Sequence, residues 1–320
     1  MAPHPCQRRA SGVLDAEHFR ETLNTIAVLV QTMASLITPR TVTATRFLRK
    51  LRGASQAHLL QADDGSCYVT KFQQNPQGRR VLINELLSWL ILEQLGIASP
   101  EAVFVNLTED FLCAQSDVYI TLHRGRSAVY PGRHFGSAFP VNPSSDPVYD
   151  FLPDALLHKV HNICEILGAL VFDMWVSNSD GRQVVFFRSE ALWGASASEV
   201  SGYLCRLIDN GYAFHGNEWA FHDCPGGLFP RRAVYRSVES IKDFEPWLDL
   251  AMSLPEDPLW HALDQVPQEW LREGEPEQLQ HLISRLIRRQ SRLSELLVSV
   301  RAWLPDVFPK WTEKTAVAVG

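Results

Sequence analysis

The 320-residue chain carries 30 Lys and Arg against 36 Asp and Glu, giving a formal charge of −6 and a pI near 6.0. That balance excludes nucleic acid as an obligate partner, because a phosphate backbone is bound by a basic face. With 46% hydrophobic and 21% charged residues the composition is that of a globular protein with room for two lobes.

The six cysteines, at 6, 67, 113, 164, 205 and 224, form no C-x-x-C pair. This pattern reads as reduced thiols in the cytoplasm, not as a disulfide framework or a zinc site. Residues 1–40 read as an N-terminal extension with a helix over about 15–37. Asp15, Glu17 and Glu21 follow Arg8 and Arg9, which spoils a signal-peptide reading. The apolar patch at 26–30 is too short to span a bilayer, so no membrane is expected.

Residues 41–122 read as a β-rich lobe. Strands are expected at 41–51, 58–62 and 67–72, the last two joined by Asp63-Asp64-Gly65-Ser66, a good turn sequence. Period two puts Cys67, Val69 and Lys71 on one strand face. A helix is expected over 80–95, ended by Gly96, with Leu82, Leu86 and Leu90 on an apolar face and Glu85 near its start. A strand-borne lysine followed by a helix-borne glutamate is the arrangement that positions phosphates in protein kinases. Taken singly, Lys71 reads as protection of an edge strand and Glu85 as a carboxylate near a helix N-terminus. Strands at 102–107 and 118–122 complete a small sheet.

Gly, Pro and Ser dominate 123–153, which reads as a loop connecting two lobes; His134 within it has no assignable role. Residues 154–310 read as mainly helical, followed by a tail at 311–320. Leu156, Val160, Ile163, Leu167, Leu170, Val171 and Met174 recur at helical spacing and predict a core helix ending at Trp175. A loop with Asn178 and Asp180 follows, then a strand at 184–187 and a second strand ending at Asp209. Further helices are expected from about Val238, over 259–272 and over 277–303. The arginines at 285, 288, 289 and 292 read as a solvated face. Two carboxylates, one by the attacking hydroxyl and one on the metal, are what phosphoryl transfer needs. Asp180 and Asp209 could supply them, although Ile208-Asp209-Asn210-Gly211 also reads as a type I′ hairpin turn.

G-A-S-Q-A-H-L-L at 53–60, Y-V-T-K-F at 68–72 and N-P-Q-G-R-R-V-L-I-N-E-L at 75–86 look like one pattern. Together with W-V-S-N-S-D at 175–180 and L-I-D-N-G at 207–211, it resembles the HipA-like kinase family over about residues 45–305. The resemblance implies an α+β, two-lobed protein-kinase-like fold. Its N-lobe would be a small mixed β-sheet with one helix, and its C-lobe mainly helical. It further implies that Gly53, Ser55 and Gln56 cover the phosphates of ATP and that Lys71, held by Glu85, contacts them. Asp180 would take or orient the proton of the attacking hydroxyl, Asn178 would fix its loop, and Asp209 would hold Mg²⁺.

Family members commonly read N-x-D-R-H-x-x-N. Here Gly181 and Arg182 stand in the Arg-His places and Val185 in that of the last Asn, a metal ligand. Valine cannot ligate magnesium, and Gln183 is the substitute ligand the sequence offers. The implied activity is transfer of the γ-phosphoryl group of ATP to a Ser/Thr hydroxyl, with a protein as substrate. The resemblance also leaves room for a regulatory partner protein. The alternative is a kinase-fold module that binds nucleotide or a protein partner without turnover.

Overall fold

The computed structural model describes residues 37–123, 125–189, 202–223 and 226–312. The expected helix at 15–37 lies almost wholly outside them, as does most of the tail.

Strands β1 (Arg40–Lys50), β2 (His58–Ala62) and β3 (Cys67–Lys71) run antiparallel in sequence. Between β2 and β3, Gly65 has φ 80° and the Asp64 carboxylate accepts from Ser66 N–H at 2.9 Å, which closes the turn locally. Helix α1 (Arg80–Gln94) follows, then β4 (Ala102–Leu107) and a short helix α2 (Glu109–Ala114). Thr108 caps α2 by accepting from Phe111 N–H. Next come β5 (Tyr119–Leu122), β6 (Gly125–Ala128), β7 (Gly132–Ala138) and β8 (Val148–Tyr149).

The N-lobe is mixed, as expected, but its sheet closes on itself. The barrel order is β1-β2-β3-β7-β4, and β1 pairs parallel with β4 to seal it. Closure removes the edges of an open sheet. The barrel interior is filled by Val42, Ala44, Leu60, Ala62, Tyr68, Val103, Val105 and Leu107. The stretch at 123–153 is therefore more than a connector, because β7 is the strand between β3 and β4. Its glycines hid it: a Cβ on Gly136 would come within 2.4 Å of Val105, so the inward position is filled by a neighbour's side chain. Helix α2 is a second N-lobe helix that the sequence reading lacked.

Helix α1 is buried almost all round. It packs on Ala102, Phe104 and Phe135 of the barrel and shares one core with the C-lobe helices. Each such Leu or Ile contributes roughly 1.5–3 kcal/mol through its burial, so α1 binds the two lobes into one body.

In the C-lobe, α3 (Glu165–Val176) begins later than the periodicity suggested. Asp154–Lys159 is a 3₁₀ turn, and Val160 forms a parallel bridge with Tyr203 that a helix there would forbid. Strands β9 (Gln183–Ser189) and β10 (Gly202–Ile208) pair antiparallel, with β8 beyond β9. Helices α4 (Trp247–Ser253), α5 (Glu256–Asp264), α6 (Glu275–Gln290) and α7 (Leu293–Trp303) complete the lobe. The helix expected near Val238 is a 3₁₀ turn, Ile241–Phe244, before α4, and the one expected at 277–303 breaks at Ser291-Arg292. Among the described residues no helix is long and apolar enough to cross a membrane. Cys67, Cys113 and Cys205 are free, but Cys164 is disulfide-bonded, so the cysteines no longer argue for the cytoplasm.

Candidate active site

Lys71, at the end of β3, and Glu85, on α1, form a buried ion pair. Their side chains are 8% and 5% exposed. The same ammonium donates to Asp209 Oδ1 at 2.7 Å. Burial alone would lower the Lys71 pKa, but Glu85 and Asp209 outweigh it and raise it above the usual lysine value. Burial likewise pushes the Asp209 carboxyl up, and Lys71, helped by Arg182, pulls it below the usual range. Both groups therefore stay charged. Asp209 keeps 31% of its side chain exposed, so it retains a face for a ligand.

Asp209 closes β10 with φ 57°, in the left-handed region that a non-glycine residue occupies only at a cost. A type I′ turn would need Asn210 at positive φ as well, and it is not. The chain runs on into a kinked 3₁₀ segment, Ala213–Glu218, instead of a returning strand. The hairpin-turn reading of 208–211 is thereby corrected.

Beneath this loop lies a second ion pair that sequence reasoning missed. Asp173 on α3 and Arg182 are both fully buried. Arg182 Nε donates to Asp173 Oδ2 at 2.8 Å and a terminal nitrogen to Oδ1, a two-pronged contact. Its other terminal nitrogen reaches Ile208 O at 3.2 Å and Asn210 Oδ1 at 2.7 Å. One guanidinium thus ties α3 to both sides of Asp209. Asn178 joins the same network through Asp173 Oδ1 at 2.9 Å, and its own Oδ1 accepts from Asp180 N–H at 3.2 Å. Asp180 is exposed and accepts from Gly181 N–H at 2.8 Å. Gln183 opens β9 and places its amide 3.2 Å from Asp209 Oδ2. Val185 pairs with Arg206 inside the β9–β10 ladder.

The N-P-Q-G-R-R segment docks α1 onto the chain that follows Asp209. Asn84, fully buried, donates to Gly211 O at 2.8 Å and Gly216 O at 2.9 Å, and accepts from the Trp219 indole at 2.9 Å. Arg80 reaches Glu275, Gln278 and Asn217 O, with its guanidinium 3.9 Å over the Trp219 ring. Such fully satisfied buried amides fix geometry, since each unmet bond would be costly. Asn84 was visible beside Glu85, but nothing local marks a carbonyl that lies 127 residues on.

The loop with Gly53, Ser55 and Gln56 joins β1 to β2. Gln56 is pinned to the β5–β6 hairpin by two bonds of 2.7 Å with the Thr121 backbone. His134 is structural: it accepts from Gln73 N–H and donates to Tyr130 O, and burial lowers its pKa to about 4.

Compared with known protein families, residues 45–296 match the HipA-like kinase model. The chain belongs to the HipA-like kinase family. Among solved structures, this HipA-like kinase is similar to the Golgi casein kinase with Mn/ADP bound, at 12% identity and a TM-score of 0.46, over 86% of this chain and 77% of that one. It is similar to hydra Fam20 with sugar at 13% identity and a TM-score of 0.47, over 84% of this chain and 88% of that one. No curated protein matches.

Proposed function

We propose that this HipA-like kinase transfers the γ-phosphoryl group of ATP to a Ser/Thr hydroxyl of a protein substrate. The observation that carries the reading is Lys71, buried and held charged between Glu85 and Asp209. An ammonium fixed there can contact phosphate oxygens without reorganising. The oxygen donors of Asp209 and Gln183 fit Mg²⁺, a hard cation that takes carboxylates and carbonyls, provided the Gln183 amide turns its oxygen inward. When bound, Mg²⁺ would neutralise charge on the transferred group. In this reading Asp180 accepts or orients the proton of the attacking hydroxyl. Asn178 holds the Asp180 backbone, and Arg182 holds Asn210 against α3. Gly53, Ser55 and Gln56 cover the phosphates, with Gln56 anchoring the loop to the β5–β6 hairpin.

A second reading, a module that binds nucleotide without turnover, is favoured by Val185, which offers no oxygen where the family has a metal-binding amide. Phosphate release from ATP, measured with and without Mg²⁺ in the wild type and in Asp180→Asn and Asp209→Asn, separates the two. A kinase shows Mg²⁺-dependent turnover that both variants lose. Thermal stabilisation by ATP with no turnover in the wild type overturns the kinase reading.

A further inference from the structure

His215, Glu218 and His222 bring three metal-ligating atoms within 4.8 Å of one another. They belong to the segment after Asp209. Glu218 Oε2 lies 3.7 Å from His215 Nε2 and 3.9 Å from His222 Nε2. Ligands at bond lengths of about 2.0–2.2 Å around a tetrahedral zinc ion are separated by roughly 3.4 Å. Two of the three edges are thus within about half an ångström of a closed cage. The backbone makes this possible: Phe214, His215 and Trp219 take left-handed φ values of 56°, 59° and 50°. Those bends bring the two imidazoles to 4.2 Å between centroids. Burial of Phe214, just before the cluster, and of Trp219, between Glu218 and His222, anchors the segment.

Both histidines are also joined, through their backbones, to the residue just before Asn178. His215 N–H donates to Ser177 O at 3.2 Å. The Ser177 hydroxyl accepts from His222 N–H at 2.9 Å and donates to His222 O at 3.0 Å. Ser177 itself caps α3 in the left-handed region, with φ 52°. Whatever draws His215 and His222 together therefore tightens the clamp on the Asn178–Asp180 loop.

We propose that His215, Glu218 and His222 bind one divalent cation of the zinc class and so staple the segment after Asp209 to the Asn178 loop. Two imidazoles and a carboxylate suit zinc better than magnesium, which prefers all-oxygen sites. Three protein ligands leave a fourth position for water. The site does not rest on the phosphotransferase reading and is separate from Asp209.

The test is a titration of chelator-treated, full-length protein with Zn²⁺ alone against a competing chromophoric chelator. Glu218 and His222 side chains are 66% and 51% exposed, so Glu218→Gln and His222→Ala leave the core intact. The wild type should bind one ion, and each variant should lose about a hundredfold or more in affinity, beyond what removal of a supporting partner costs. Asp209→Asn should bind as the wild type does. Absence of stoichiometric binding, or an unchanged affinity in His222→Ala, overturns the site. Hydrogen exchange at the amides of residues 177–180 should slow with Zn²⁺ in the wild type and not in His222→Ala. Zinc bound with exchange unchanged overturns the staple.

Discussion

The claim that Arg182 holds Asp209 in place can be tested by Arg182→Lys, which keeps the charge and removes the fork. Arg182 makes four hydrogen bonds from three nitrogens: two to Asp173, one to Ile208 O and one to Asn210. A lysine has one nitrogen and three donors, and cannot span both Asp173 oxygens while reaching β10. At least one charge-assisted bond is lost, worth about 1.5–3 kcal/mol. Asp173, fully buried, is left partly unpaired, which moves the cost toward the ~3–5 kcal/mol of a broken buried pair. Taking about 3 kcal/mol, and about 1.5 °C per kcal/mol from an unfolding entropy of roughly 2.1 cal/mol/K per residue over 320 residues, the Tm should fall by about 4–5 °C. Thermal unfolding followed by circular dichroism measures it. The double variant Asp173→Leu/Arg182→Met should lose less than Asp173→Leu alone, because no charge is then left buried without a partner. A Tm for Arg182→Lys within about 2 °C of the wild type, or strictly additive costs in the double variant, would refute the reasoning.

Lys71→Met strands Glu85 and should destabilise the fold by about 3–5 kcal/mol. The balanced variant Lys71→Met/Glu85→Gln should recover much of that stability and still bind ATP at least about tenfold more weakly by calorimetry, the cost of one charge-assisted bond; wild-type affinity would remove Lys71 from the site. Gln183→Ala should raise the Mg²⁺ concentration needed for turnover, and an unshifted titration would remove Gln183 from the metal site. His134 has a pKa of about 4 in the fold against an ordinary 6.5, so the unfolded chain binds the extra proton. Its contribution to stability is complete above pH 6.5 and is lost as pH falls toward 4, amounting to roughly 3 kcal/mol over that range. Chemical denaturation from pH 7 to 4 should show that loss in the wild type and much less of it in His134→Gln; equal slopes would contradict the assignment.

The parts legible in the sequence are those set by local periodicity or turn chemistry. β2 and β4 fall where the alternation put them, and α1 starts at Arg80 as the breakers before it require. The strand–helix spacing of Lys71 and Glu85 is of the same kind. What escaped depends on partners distant in sequence. Strand β7 carries its inward position as a glycine filled by Val105, so its own residues spell a loop. Asp173 reads as one polar residue in an apolar helix, and Arg182 as a turn residue, until the fold buries them as a pair and joins Arg182 to Ile208 O and Asn210. The break between α6 and α7 comes at Ser291-Arg292, where helical spacing continues but the chain turns.

The most direct test of the phosphotransferase account is a crystal structure of the protein with Mg²⁺ and a non-hydrolysable ATP analogue. The account predicts a metal on an Asp209 oxygen, Lys71 Nζ on a phosphate oxygen with its Glu85 pair retained, and Gly53–Gln56 over the phosphates. Nucleotide bound elsewhere, or phosphates that contact neither Lys71 nor an Asp209-bound metal, would contradict it.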